Sequence, residues 1–187
     1  MNTLSICKEG DIILVHKTKI QGISDIAAPI IRALTDCYWN HCALIVDYCD
    51  DLYIAEAVAN GFVPTTRLED YLKEVGDIRE IAILRIKDFD RRDFYSNLRS
   101  LINKSYGFGT LIFTQLVYQI SKKISKHGVW LGKTGEDARH TVVCSEVVAN
   151  AYPELFNYED LYRVTPRDIW DKRTDSKVQI VYISNCK

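Results

Sequence analysis

A short acidic turn early in the chain constrains the fold most. Tyr48-Cys49-Asp50-Asp51 separates two strand-like runs, about 40–47 and 52–58, and the pattern reads as an antiparallel hairpin. One arm carries His41-Cys42-Ala43-Leu44-Ile45-Val46 and the other Leu52-Tyr53-Ile54-Ala55-Glu56-Ala57-Val58. A hairpin this apolar needs cover, which commits the chain to an antiparallel sheet packed against other elements.

The remaining pattern supplies those elements. Gly10-Asp11 leads into the apolar run Ile12-Ile13-Leu14-Val15-His16, read as a buried strand, and Ser24 or Asp25 is positioned to cap a helix to about Leu34, with Pro29 near its start. An extended stretch, 61–66, runs into a short helix at 67–75, and 80–87 reads as a further strand. Over 90–104, Phe94, Leu98, Leu101 and Ile102 fall at helical spacing. A second helical stretch is expected at 110–123, then a polar, glycine-containing loop at 128–140 expected to be mobile. Pro153 stops the helix that begins near Cys144, Thr165-Pro166-Arg167-Asp168 starts another, and 178–183 closes with a strand. The fold class is α+β, and 187 residues without internal repeats are expected to form one domain, 1–187.

With 24 basic against 25 acidic residues, the chain lacks the basic excess of a nucleic-acid binder, so no such partner is expected. Its start lacks the charged and apolar regions of a signal peptide, and no apolar stretch approaches the ~20 residues of a membrane span. The six cysteines (Cys7, Cys37, Cys42, Cys49, Cys144 and Cys186) form no CxxC pair, which fits free thiols in a reducing, cytoplasmic setting. No cofactor is expected. A metal site built from Cys37, His41 and Cys42 is disfavoured, since adjacent strand residues such as His41 and Cys42 point to opposite faces. The oligomeric state is not readable.

Three residues invite chemistry. Cys144 opens the amphipathic run Val143-Cys144-Ser145-Glu146-Val147-Val148, and a thiol at a helix N-terminus meets unpaired backbone N–H groups that favour its thiolate. Its alternative reading is a plain buried core cysteine. His41 opens a strand and is suited to accept the thiol proton, or is simply a strand-end histidine. Glu56 lies in an otherwise apolar strand, where a carboxylate needs a partner; the hairpin brings it near the His41 end, and the alternative is an edge glutamate facing water. Ser145 and Glu146 read either as fixing the helix start or binding substrate, or as surface or capping residues, and His140 reads as an incidental loop histidine.

The order of motifs resembles a known superfamily. Gly10-Asp11-Ile12-Ile13-Leu14, then Asn40-His41-Cys42-Ala43-Leu44-Ile45-Val46, then Ile54-Ala55-Glu56-Ala57 resemble the Gly-Asp-apolar strand, the His-Val-Gly-Ile-type strand and the following polar-residue strand of NlpC-type papain-like peptidases. Tyr106-Gly107-Phe108-Gly109 and Val143-Cys144-Ser145-Glu146 resemble that superfamily's Tyr-x-x-Gly and Asp-Cys-Ser-Gly elements, but here they follow the strands. This order is similar to the circularly permuted branch of YiiX/YebB-like amidases and a poxvirus relative. The resemblance covers about Gly10 to Tyr152.

It implies Cys144 as nucleophile, His41 as base, Glu56 as the residue orienting the histidine, and Tyr106 lining the substrate site near the oxyanion position. The interval between Tyr106 and Cys144 is longer than in unpermuted enzymes, and the third position is acidic where many of those have His, Asn or Gln. The implied reaction is cleavage of an amide or peptide bond through a thioester acyl-enzyme. Two rivals stand beside it: an acyltransferase acting on a lipid or other acyl substrate, as in the lecithin:retinol acyltransferase group, whose Asn-Cys-x-His-Phe-type motif is absent here, and a non-catalytic binding module on the same scaffold.

Overall fold

The computed structural model describes residues 3–18, 36–58, 61–102, 104–106, 141–156, 161 and 163–184. The expected helices at 24–34 and 110–123, the loop 128–140 and His140 lie outside the described residues.

Six strands form one antiparallel sheet: β1 (Ile12–Lys17), β2 (His41–Tyr48), β3 (Asp51–Val58), β4 (Gly61–Arg67), β5 (Arg79–Ile86) and β8 (Val178–Ile183), in the order β4-β3-β2-β1-β5-β8. Two short strands, β6 (Ser105–Tyr106) and β7 (Thr141–Val142), pair in parallel beside it. The hairpin closes through Cys49 and Asp50, both at positive φ (55° and 66°), between the paired residues Tyr48 and Asp51. Two successive left-handed residues are what a two-residue hairpin loop needs to match the strand twist.

Both faces of the sheet are covered, which is why its central strands read as continuous apolar runs rather than alternating ones. Leu14, Leu44, Ala55, Ala57 and Leu84 share one core with Phe94 and Leu98 of α2 (Arg91–Arg99) and Val147 and Val148 of α3 (Cys144–Ala151). Ile13, Ala43, Ile45, Ile54 and Ile83 form the other core with Leu68 and Tyr71 of α1 (Leu68–Lys73). Each fully buried aliphatic side chain contributes about 1.5–3 kcal/mol relative to exposure.

Helix boundaries follow local chemistry. Asp90 caps α2 by accepting from the Asp93 N–H. This helix stops at Arg99, short of the expected Lys104, so Ile102 lies in a turn and is exposed instead of joining the apolar face. Thr165 and Asp168 close a reciprocal capping box on α4 (Pro166–Asp171), with Pro166 in the first turn, where its missing N–H costs nothing.

At the start of β1, Asp11 is fully buried and held on several sides. Arg85 Nε and Nη2 each donate to it at 2.7 Å, the Lys8 N–H donates at 2.8 Å, and its own carbonyl accepts from the Ile45 N–H at 2.9 Å. Gly10 precedes it at φ +82°, and a Cβ there would lie 2.4 Å from the Phe89 ring. The Gly-Asp pair is thus an anchor tying β1 to β5 and β2.

Candidate active site

α3 begins at Cys144. Val143, extended and without a polar side chain, precedes it and provides no capping hydrogen bond, so the first-turn N–H groups have no side-chain cap from their own N-terminus. α3 packs across β2, and seven of its eight residues are buried, including Cys144 at 3 % exposure. Ser145 and Glu146 are buried too, which removes the surface reading for both.

His41 is the first residue of β2. Glu56, on the neighbouring strand, stands across from Ala43 by extension of the Leu44↔Ala55 register, one diagonal step from His41. The His41 Nε2–H donates to Glu56 Oε2 at 2.5 Å, with the two side chains only 11 % and 12 % exposed. The water-facing alternative for Glu56 therefore fails, and β3 is an interior strand. With Nε2 committed to the carboxylate, Nδ1 is the ring nitrogen left for sulfur, and Cys144 is near enough to raise the His41 pKa.

The charges follow from this arrangement. Burial alone would lower the His41 pKa, but the Cys144 sulfur and the Glu56 carboxylate outweigh it and raise it from 6.5 to about 9. Cys144 is held well below its ordinary 9.0, first by a hydrogen bond from the Cys42 side chain, against burial, and then by the His41 charge and hydrogen bond and the Cys42 backbone. Near pH 8 an unfolded chain has a neutral imidazole and a thiol; folding moves that proton from sulfur to nitrogen.

The structure therefore brings Cys144, His41 and Glu56 together. For Tyr106 it describes the backbone, which pairs with Val142 two residues before the cysteine; β6 and β7 bring that segment beside the start of α3. Cys42 is the participant that sequence reasoning missed. The face rule is overcome because His41 is the end residue of its strand: its carboxylate partner lies on the α1 side of the sheet, yet its ring also reaches the cysteine on the α3 side. The signal available was parity, since Cys42 shares the face of Leu44 and Val46. Cys37 stands elsewhere, near Arg167, Asp168 and Asp171 of α4, and among the described residues no group of three His, Cys, Asp or Glu is arranged to hold a metal ion.

Residues 6–179 match the family model for the permuted papain-like amidase enzymes of the YaeF/YiiX type, the C92 peptidases. The chain belongs to this family. Among solved structures it is similar to the metalloprotein yiiX from Escherichia coli O157:H7, with a TM-score of 0.58 and 16 % identity over 95 % of this chain and 97 % of that one. This second likeness shows the shared fold. A search of curated proteins finds no match. Family membership makes the chain a papain-like cysteine amidase or peptidase in broad class, and it gives the permuted order of histidine strand before cysteine helix its explanation. Among the described residues no helix is long and apolar enough to cross a membrane.

Proposed function

We propose that this permuted papain-like enzyme hydrolyses an amide or peptide bond through a thioester on Cys144, with His41 as acid–base and Glu56 orienting it. One observation carries the reading: a buried cysteine at an uncapped helix start lies beside a histidine that lowers its pKa, and the Nε2 of that histidine is held by a carboxylate. The Cys144 thiolate attacks the acyl carbonyl, and the Cys144 backbone N–H donates to the oxyanion that develops. His41 gives its proton to the leaving amine as the C–N bond breaks, leaving the acyl group on sulfur. Water then attacks the thioester, His41 accepts its proton, and the carboxylate product leaves with the thiolate restored. Glu56 keeps the imidazole in the useful orientation and stabilises its charged form. Tyr106 belongs to the substrate-lining wall, a role supported by the pairing of its backbone beside the nucleophile segment.

The described cysteines Cys7, Cys37, Cys42, Cys49 and Cys144 are all free thiols, which supports work in a reducing compartment. The E. coli neighbour is described as a metalloprotein. Among the described residues here no group of three His, Cys, Asp or Glu is arranged to hold a metal ion, and no step above is routed through one.

The test is to trap the acyl-enzyme with peptide amides and activated acyl donors and locate the adduct by mass spectrometry. The expected result is an adduct on Cys144 that water discharges, with Cys144→Ala lowering turnover by about 10⁴-fold or more. Discharge only to an added amine or alcohol acceptor would replace hydrolysis with acyl transfer. Turnover surviving in Cys144→Ala would overturn the nucleophile assignment.

A further inference from the structure

Asn40 stands immediately before His41 on the lead-in to β2 and is 3 % exposed. Its chain neighbours belong to the site: Trp39 is buried in the core that holds Val142 and Cys144, and His41 binds Glu56. Consecutive Cα atoms are about 3.8 Å apart, so Asn40 is bracketed by the nucleophile's core and its base. The residue is tied to β1 twice. Its N–H donates to the Val15 carbonyl at 2.9 Å, and its Oδ1 accepts from the Lys17 N–H at 3.2 Å, beyond the last β1–β2 pair, Val15↔His41. The Lys17 N–H can only donate, which fixes the arm of the planar amide that carries oxygen. The other arm, Nδ2, is turned off the ladder; it is buried and has no hydrogen-bond partner among the described residues. A buried donor left unpaired gives up its hydration without return, and folded proteins retain few of them.

We propose that Asn40 is a catalytic residue: its Nδ2–H donates to the oxyanion that forms when Cys144 attacks the acyl carbonyl, alongside the Cys144 backbone N–H. This rests on the reading of Cys144 as the nucleophile. As the S–C bond forms, the carbonyl π electrons move onto oxygen, and the charge there needs donors already in place. When the C=O re-forms and the C–N bond breaks, the charge leaves that oxygen; the Nδ2 proton stays on nitrogen throughout. A carboxamide is uncharged across the working pH range, so this donor is present whatever the state of His41. Its Oδ1 is already held by Lys17, which sets the amide before substrate arrives, and the burial that leaves Nδ2 unpaired also keeps away water that would compete for it.

The experiment compares two reagents on the same sulfur. p-Nitrophenyl acetate acetylates a thiolate through an oxyanion, whereas iodoacetamide loses iodide from a saturated carbon and forms none. Both rates are measured across pH in wild type and Asn40→Ala, with adducts located by mass spectrometry and exposed Cys49 as the internal reference. The expected result is acetylation of Cys144 slowed by about 100-fold in Asn40→Ala, with the iodoacetamide rate and its pH midpoint at their wild-type values. The alkylation arm also shows whether losing the Lys17 contact has displaced His41. Two rates that fall together would make Asn40 a support for His41, and two unchanged rates would leave Nδ2 to a bound water only; either overturns the proposal. Wild-type acetylation that falls on Cys49 and spares Cys144 would instead sink the underlying reading of the site.

If Asn40→Ala does not fold, the wild-type protein decides the matter by NMR of its ¹⁵N-labelled side-chain amides. Acetyl-glycinal adds to Cys144 as a hemithioacetal whose oxygen takes the oxyanion position. The Asn40 Nδ2 protons are expected to move downfield on its addition, and unmoved resonances would overturn the proposal.

Discussion

Two carboxylates, Asp11 fully buried and Glu56 nearly so, serve opposite ends of the β1–β2 ladder, and each faces a cation. At one end Asp11 is gripped by Arg85 through two nitrogens and by the Lys8 amide. At the other Glu56 makes a 2.5 Å contact to a histidine. The difference lies in the cation. A guanidinium keeps its proton at every accessible pH, so the Asp11 pair works as a fixed fastener. An imidazole changes charge near neutrality, and its proton here is bound to the state of the neighbouring sulfur. One sheet thus carries a pair that fixes position, its carboxyl pushed up by burial against the hydrogen bonds from Arg85 and Lys8, and another that can exchange protons.

That contrast can be broken in order of expected effect. Asp11→Ala leaves Arg85 without its carboxylate at the β1–β5 seam and is expected to lower unfolding free energy by about 3–5 kcal/mol in urea titration. The Cys144 alkylation midpoint of the folded protein should stay unchanged; a loss below ~1 kcal/mol, or a moved midpoint, would erase the division between the two ends. Gly10→Ala presses a Cβ into the Phe89 ring at a left-handed φ and is expected to cost about 1–3 kcal/mol, again without touching the site.

Glu56→Gln should disturb stability least, by about 1 kcal/mol, because His41 can shed its proton in response. Its signature is kinetic. The proposed mechanism requires the imidazolium, so wild-type activity is expected to fall as pH rises through about 9; without the carboxylate that supports the charge, this alkaline limb moves to lower pH. Rate–pH profiles of the two proteins check this, and coincident alkaline limbs would remove Glu56 from the electrostatics of the site.

The hairpin was legible because its turn chemistry and apolar arms are local, and with it came the proximity of His41 and Glu56, since two strands joined by a two-residue loop have little freedom of register. The start of α3 at Cys144 was legible in the same way, from residues next to one another. What sequence could not deliver was the meeting of distant parts. Arg85 reaching Asp11 depends on β5 lying beside β1, and the β6–β7 pairing joins segments far apart along the chain. Cys42 offered no local signal beyond an apolar strand position, because its place in one core with Cys144 depends on α3 lying across β2. Ile102 was assigned to an apolar face that the helix does not live long enough to present.

The thiolate–imidazolium pair is the centre of this account, and the proton on His41 reports it most directly. The measurement is the pH titration of the His41 ring by heteronuclear NMR in wild type and Cys144→Ala. The account predicts a wild-type ring that stays protonated to about 9 and a variant whose midpoint falls once the sulfur is gone. A His41 that titrates near 6.5 in both proteins would contradict the charged pair and the mechanism built on it.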